Sequence, residues 1–387
     1  MLPLLKKTGH PALDALLSKP FTYSRDYPNM PNYVRSIPVA ASSPESMQNL
    51  IIQELGARTE RKISPPSSVQ CPDLYIHEFS NILLCHGLPF DDNGNLIFDS
   101  VRLLQPDGAI GKQNHSAMSL SPKYQIFSKF KKISTIPYVS GEYILSSFFT
   151  SFGHVLLDLL PSLYAVNFFP NARITAFDIK NIPDFIYNYT RPLNIGRENI
   201  FFPDTVCILE KLYIPTRAYM FFHYVTRTAI DIWKSIRNFY ISQNPCQCKQ
   251  NKIYLSRKYV ANRKLINEDE CEEIFKSFGF SIIYMENLST QEQICTIYNA
   301  THIAGHIGSA MHNLVFCNDK KLISTLFLAP KYFADAQAYH DIERAYSRVF
   351  NVVYGSNYIR QSRYGIYHQW DMDIRNLKYA LSQWLHC

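Results

Sequence analysis

The sequence predicts an α/β protein whose second half is a parallel, doubly wound sheet. Two observations carry this. From residue 252 on, short apolar runs alternate with helical patterns, and glycines stand where helices should start or stop. Strands that alternate with helices build parallel sheets with right-handed crossovers.

The elements follow in order. Residues 252–256 form a short strand. Asn267 with Glu270 has the spacing of a capping box, and the helix it opens runs to about Ser277, with Gly279 as its stop. Residues 281–285 form the next strand. Ser289 with Glu292 makes a second capping box, opening a helix to about Asn299. A strand at 302–304 leads into a glycine turn at 305–309, a helix to about Phe316 and a strand at 322–327. Ligands of such sheets sit at the carboxyl ends of the strands. The loops after Ser256, Met285 and Ala304 are therefore the functional candidates.

The first half is less regular. Residues 1 to about 90 give no clear pattern, and 64–73 reads as a loop from its Pro and Ser content. Residues 97–104, 173–179 and 206–214 read as strands, and 150–169 and 231–243 as helices. The polar, Pro-containing stretch 244–251 reads as a linker. The expected division is an N-terminal domain over 1–245, a C-terminal domain over 252–360, and a C-terminal helix over 361–387 that packs back on the N-terminal domain.

Composition bounds the function. The chain has 387 residues, 47% hydrophobic and 18% charged, enough for a sizeable core and roughly two domains. Aromatics reach 14%, with 26 Tyr and 25 Phe, a composition suited to sugar-binding clefts, where ring faces pack on C–H groups. The net charge of +7 favours anionic partners such as nucleotide diphosphates. The cations are scattered, with one dense run at Lys129–Lys132, and no stripe argues for nucleic acid. The nine cysteines are odd in number and show no CxxC spacing, which predicts reduced thiols rather than a disulfide framework or zinc site. The first residues, Met1 to Lys7, lack a signal-peptide core, and no run of 18 apolar residues exists. The expectation is a cytoplasmic protein compatible with peripheral attachment at the inner face of a membrane.

Three constellations carry chemistry. Gly305, His306, Ile307, Gly308, Ser309, Ala310, Met311, His312 and Asn313 lie on a strand-to-helix turn, where unpaired N–H groups and close backbone approach make an anion site. Arg257, Lys258 and Arg263 lie on the loop after the first strand of the second half, and guanidinium forks bind phosphate oxygens in pairs. On the predicted helix at 150–169, Ser151, His154, Asp158 and Ser162 form one polar stripe on an otherwise apolar surface. His154 and Asp158 are neighbours at i, i+4, and a carboxylate beside an imidazole orients it as a general base. Asp371-Met372-Asp373 has the form of a metal-binding DxD motif, but its place before a C-terminal helix reads as a solvated helix start.

Taken together these residues resemble the family 61 glycosyltransferases. The resemblance rests on Lys252-Ile253-Tyr254-Leu255-Ser256-Arg257, Arg263, Asn267 to Glu270, Gly279-Phe280, Leu288 with Glu292 to Ile294, and Ala304-Gly305 through Gly308-Ser309 to Asn313-Leu314-Val315-Phe316. Phe152-Gly153-His154 with Asp158 resembles the family's N-terminal block. It covers about 150–330, and it departs at one place. The family usually has Pro-His-Gly-Ala/Ser at the turn, whereas this chain has His306 one place early and Ile307 at the histidine position.

The resemblance implies a GT-B fold, two Rossmann-like domains facing across a cleft, and an inverting mechanism with no cofactor and no obligatory metal. It implies a nucleotide-sugar donor and a glycan or lipid-linked glycan acceptor, in bacterial capsule or lipopolysaccharide synthesis. On this reading His154 and Asp158 are catalytic. Arg257, Arg263, Gly305, His306, Gly308, Ser309, Ala310, Asn313 and Asn267 bind the donor. Two rivals stay open: a polysaccharide pyruvyl or other group transferase, and a degenerate, non-enzymatic glycan-binding domain.

Overall fold

The computed structural model describes residues 22–24, 27–41, 51–56, 69, 71–85, 87–97, 136–146, 151–176, 181–203, 206–220, 223–243, 250–260, 263–330, 337–355, 358–360 and 368–386. The chain forms two compact units. The first comprises Met1–Ser42, Pro72–Thr150 and Pro161–Met220, and the second Ser43–Cys71, Ser151–Leu160 and Phe221–Cys387. This division is not the single cut near residue 245 that the sequence suggests. Two stretches from the first half, including the one with His154 and Asp158, belong with the C-terminal unit.

The first unit is built on a mixed sheet. The long strand Leu74–Cys85 pairs antiparallel with Tyr33–Ala40, Leu88–Phe90 and Val206–Pro215. Val206–Pro215 pairs parallel with Tyr138–Leu145, which continues in parallel to Arg173–Thr175 and Ile200–Phe201. Phe79, Ile82, Leu84, Cys207, Leu209, Leu212 and Ile214 are fully buried in its core. The expected strands at 206–214 and 173–179 are thus found, the latter as Arg173–Thr175. Of the strand expected at 97–104, only Ile97, the last residue of Asn95–Ile97, is described. Most of the loop at 64–73 and the linker at 244–251 lie outside the described residues.

The second unit holds the parallel sheet. Its strands are β1 (Ile52–Glu54), β2 (Lys252–Leu255), β3 (Ser281–Ile283), β4 (His302–His306), β5 (Ser324–Pro330) and β6 (Phe350–Gly355). They stand in the order β3-β2-β4-β5-β6-β1, and every adjacent pair is parallel. Ile253, Tyr254 and Leu255 of β2 are completely buried, as a central parallel strand covered on both faces should be.

The helices of this unit are α1 (Arg227–Gln243), α2 (Glu268–Ser277), α3 (Thr290–Asn299), α4 (Gln337–Ala345) and α5 (Ile374–His386). Helix α3 starts at the expected capping box, with Ser289 Oγ accepting from Glu292 N and Glu292 Oε2 accepting from Ser289 N. Helix α2 stops at Gly279, in the left-handed conformation at φ +82°. There Phe280 N–H bonds Phe275 O and Gly279 N–H bonds Lys276 O, the paired bonds of a glycine C-terminal stop. Phe275 stacks on Tyr254 with ring centroids 4.0 Å apart, which fixes α2 against β2. Leu377, Ala380, Leu381 and Trp384 of α5 enter the same core. The apolar face of α5 is therefore taken up by the second unit, where the sequence reading places it against the N-terminal domain. At its start Asp373 Oδ1 accepts from Arg375 N and Asn376 N, so the DxD aspartate is the helix cap.

Among the described cysteines, one departs from expectation. Cys71, Cys85, Cys207, Cys271 and Cys317 are free and buried, but Cys295 in α3 is disulfide-bonded. Among the described residues no helix is long and apolar enough to cross a membrane.

Candidate active site

The sheet order sets the site. From β2 the chain moves to β3 on one side, then crosses back to β4 on the other. The carboxyl ends of β2 and β4 therefore flank a topological switch point, where open α/β sheets bind ligands. Ser256 and Arg257 leave β2 there, and Ile307 and Gly308 leave β4. Strand β4 runs two residues beyond the expected Ala304, so Gly305 and His306 lie within the sheet.

Both glycines permit close approach. A Cβ on Gly305 would lie 2.8 Å from Met311 Sδ and 3.2 Å from the Leu255 carbonyl oxygen. A Cβ on Gly308 would run into the Arg257 guanidinium, 2.8 Å from Cζ. The Arg257 side chain thus lies directly on the backbone at Gly308. After Gly308 the chain turns into a 3₁₀ helix, Ser309–Phe316, rather than the expected α-helix. Its first N–H groups, at Ser309 and Ala310, precede any possible intrahelical acceptor.

Arg257 is 6% exposed, and its ionisation is lowered by burial and then by the neighbouring positive charge of Arg263. Arg263 is held in a left-handed backbone conformation, φ +55°, which is uncommon for a residue with a side chain. Strain of this kind clusters at ligand clamps. Two guanidinium groups kept close and partly desolvated are a site for a doubly charged anion.

Behind them lies a buried hub that the sequence does not reveal. Glu268, the first residue of α2, accepts from Tyr254 Oη at 3.0 Å and from Arg257 N at 3.1 Å. Ser256 Oγ lies 2.8 Å from Glu268 Oε1 and 2.7 Å from Glu272 Oε1. On its other oxygen Glu268 meets His306 Nε2 at 3.0 Å. Burial pushes the Glu268 carboxyl up, but His306, Ser256 and the Arg257 N–H outweigh it and bring it down to about 2. Burial lowers His306, while the Glu268 carboxylate acts the other way, and Glu268 Oε2 is the partner of its Nε2. Glu268 therefore ties the end of β2 to the end of β4.

His154 and Asp158 lie side by side, as their i, i+4 spacing predicts. His154 Nδ1 and Asp158 Oδ2 are 2.9 Å apart. The His154 side chain is 36% exposed and that of Asp158 8%. A proton on Nδ1 toward the carboxylate leaves the lone pair on Nε2, the tautomer a base requires. The helix carrying them is irregular: α-helical at Phe152–His154, then π-helical at Val155–Leu159. Single π turns are frequent at functional sites. Val155, Leu156, Leu157 and Leu159 anchor it, and the Leu156 carbonyl accepts from Trp233 Nε1 of α1 at 2.8 Å.

Gly153 joins the two halves of the site. A Cβ there would overlap the His312 ring and lie 3.1 Å from Ser309 Oγ. The His154 helix consequently rests directly on the start of the 3₁₀ helix. His312 packs against Tyr339, with ring centroids 5.0 Å apart, and its buried Nδ1 has no hydrogen-bond partner among the described residues. Burial, then the His154, Arg263 and Arg257 charges, lower His312 to about 3, so it is a neutral imidazole.

The structure thus brings together His154, Asp158, Arg257, Arg263, Gly305, Gly308, Ser309 and Ala310. Three expected donor contacts lie elsewhere. Asn267 does not cap α2; its side chain donates to Met372 O at 2.8 Å and accepts from Met372 N at 3.0 Å, pinning the start of α5. His306 is 2% exposed and engaged by Glu268, so it positions the loop from within. Asn313 is fully buried and bonds the Ala310 carbonyl of its own turn. The sequence reading assigns no role to Glu268, His312 or Tyr339. His312 stands inside the singled-out turn, and a second histidine there was the available signal.

The sequence model of the family described as Glycosyltransferase 61 matches residues 152–324. The match supports glycosyltransferase family 61. It spans the His154 helix, both arginines, the Glu268 hub and the Gly308 turn, while Tyr339 lies beyond it. No curated protein matches the chain.

Proposed function

We propose that this protein is an inverting glycosyltransferase that moves a sugar from a nucleotide-sugar donor to a glycan or lipid-linked glycan acceptor. The carrying observation is the packing of Gly153 on His312 and Ser309. It sets the His154–Asp158 pair beside a turn where Arg257 lies on Gly308. A base next to an anion cradle is what displacement from a diphosphate leaving group needs.

The acceptor hydroxyl approaches His154, whose Nε2 takes its proton while Asp158 holds the ring. The hydroxyl oxygen bonds the anomeric carbon as the bond to the diphosphate oxygen breaks, with inversion. Arg257, Arg263 and the N–H groups of Ser309 and Ala310 take up the charge that develops on the leaving diphosphate. Two cations and backbone dipoles do here what a metal does in other transferases, so no metal enters this scheme. The reading extends to a GT-B arrangement, to hexosyl or pentosyl transfer, and to surface-polysaccharide synthesis by a cytoplasmic protein at the inner membrane face.

The test is incubation of the folded protein with a panel of nucleotide sugars and lipid-linked glycans, followed by mass spectrometry. The expected result is one donor whose sugar appears on an acceptor, with free nucleotide released. No transfer or hydrolysis of any donor, with phosphoenolpyruvate consumed instead, would replace this reading by pyruvyl transfer.

A further inference from the structure

The anion cradle accounts for one end of a nucleotide, and the turn that carries Arg257 continues into a second feature the mechanism does not use. Val260 N–H bonds Arg257 O at 2.9 Å, closing a tight turn with Tyr259 at its tip. The turn is fixed from both sides: Lys258 N bonds Ser256 Oγ at 3.2 Å, and Lys258 Nζ pairs with Asp269 at 2.5 Å. Arg257 points inward, 6% exposed, while Tyr259 is 66% exposed, among the most exposed large apolar side chains described.

Tyr259 is not a loose surface ring. It packs on Tyr284, just past the end of β3, with centroids 5.1 Å apart and planes at 52°. The Tyr284 hydroxyl donates to Glu272 Oε1 at 2.9 Å, the same oxygen that lies 2.7 Å from Ser256 Oγ. The aromatic pair is therefore braced by the network that holds the anion loop. Two residues on from Tyr284 stands Glu286, exposed, in the 3₁₀ turn Met285–Asn287. It is close enough to act electrostatically on the Arg257 guanidinium.

We propose that the β2–β3 edge is the nucleoside subsite of the donor, with the Tyr259 ring stacking on the base and the Glu286 carboxylate accepting hydrogen bonds from the ribose hydroxyls. This rests on the reading of Arg257 and Gly308 as the diphosphate cradle. In the dinucleotide-binding doubly wound sheets, an acidic residue about 20 residues beyond the phosphate turn takes the ribose, and Glu286 stands in the comparable place here, past the neighbouring strand β3. A flat, exposed ring serves any base, because every base has a π-face. The subsite thus grips the nucleoside without choosing the base, which leaves base selection to other contacts.

The experiment is calorimetric titration of the folded chain with UDP, GDP and CDP, carrying the tightest forward, with inorganic pyrophosphate as the base-free control. For Tyr259→Ala, base stacking predicts a nucleotide affinity about 5- to 100-fold weaker, pyrophosphate binding within about twofold, and recovery in Tyr259→Phe. For Glu286→Ala, the preference of the native chain for the ribonucleotide over its 2′-deoxy counterpart should vanish. Unchanged nucleotide affinity in Tyr259→Ala, with binding still lost in Arg257→Ala, overturns the subsite and leaves the cradle standing. A 2′-deoxy preference that survives Glu286→Ala, or is absent from the native chain, removes the ribose contact. If neither a nucleotide nor pyrophosphate binds the native chain, the cradle and the subsite both fall.

Discussion

Glu268 Oε2 and His306 Nε2 stand 3.0 Å apart inside the second unit, with the two residues 3% and 2% exposed. Through this bond the first residue of α2 fixes the last residue of β4. The loops after β2 and β4 are consequently tied to each other rather than two independent turns. A pair of this kind is costly to break, because removing one partner leaves the other buried without compensation.

Glu268→Ala should therefore destabilise the fold by about 3–5 kcal/mol, read as a lower urea midpoint. A milder variant gives the pH signature. The native carboxyl titrates at about 2, below the ordinary value of about 4.3. Its contribution is present above the unfolded value and is lost as pH falls from there through about 2, on the order of 3 kcal/mol in all. Stability of Glu268→Gln should be flatter than that of the native chain across this acid window. An equal slope in both would contradict the assignment.

His312 adds a second, higher window. Its folded-state value of about 3 lies below the ordinary histidine value of about 6.5. The unfolded chain then binds a proton that the folded chain refuses, so stability falls as pH drops from about 6.5 towards 3. His312→Gln should lose that part of the slope in a thermal unfolding series taken from pH 7 to pH 4.

The contact of Gly153 with His312 can be tested by a double-mutant cycle. Gly153→Ala puts a methyl group into the imidazole and should cost about 1–3 kcal/mol of stability, as overpacking does. Adding His312→Ala should return part of that loss, because the two residues are in direct contact. Strict additivity of the two changes would argue against the contact.

Asn267 separates support from binding. Asn267→Ala breaks both bonds to Met372 and should lower stability by about 1–3 kcal/mol, while nucleotide affinity in calorimetry stays within about twofold. A selective loss of affinity with intact stability would return Asn267 to the donor site.

These residues also mark what was readable in the chain. The β2–β5 strands with their intervening helices, the Ser289–Glu292 box and the Gly279 stop are local patterns, and local chemistry decides them. The spacing of Asn267 and Glu270 carries the same local signature, but a tertiary partner 105 residues away takes the asparagine side chain. Glu268 and His306 are 38 residues apart, and no periodicity announces a buried pair. Mostly apolar strands such as Val206–Pro215, broken only by Glu210 and Lys211, look alike whether their neighbours run parallel or antiparallel, so the mixed sheet of the first unit was not legible. Of the site, the i, i+4 pairing of His154 and Asp158 could be read because one helix carries both. The role of Gly153 could not, because it depends on which element packs against it.

The most direct test of the account is a comparison of native and His154→Ala protein in donor turnover, with nucleotide binding measured alongside. The account predicts that His154→Ala binds the nucleoside diphosphate as the native chain does and transfers sugar about 10²–10⁴-fold more slowly, the range expected for loss of a general base. A folded His154→Ala protein with full transfer activity would contradict it.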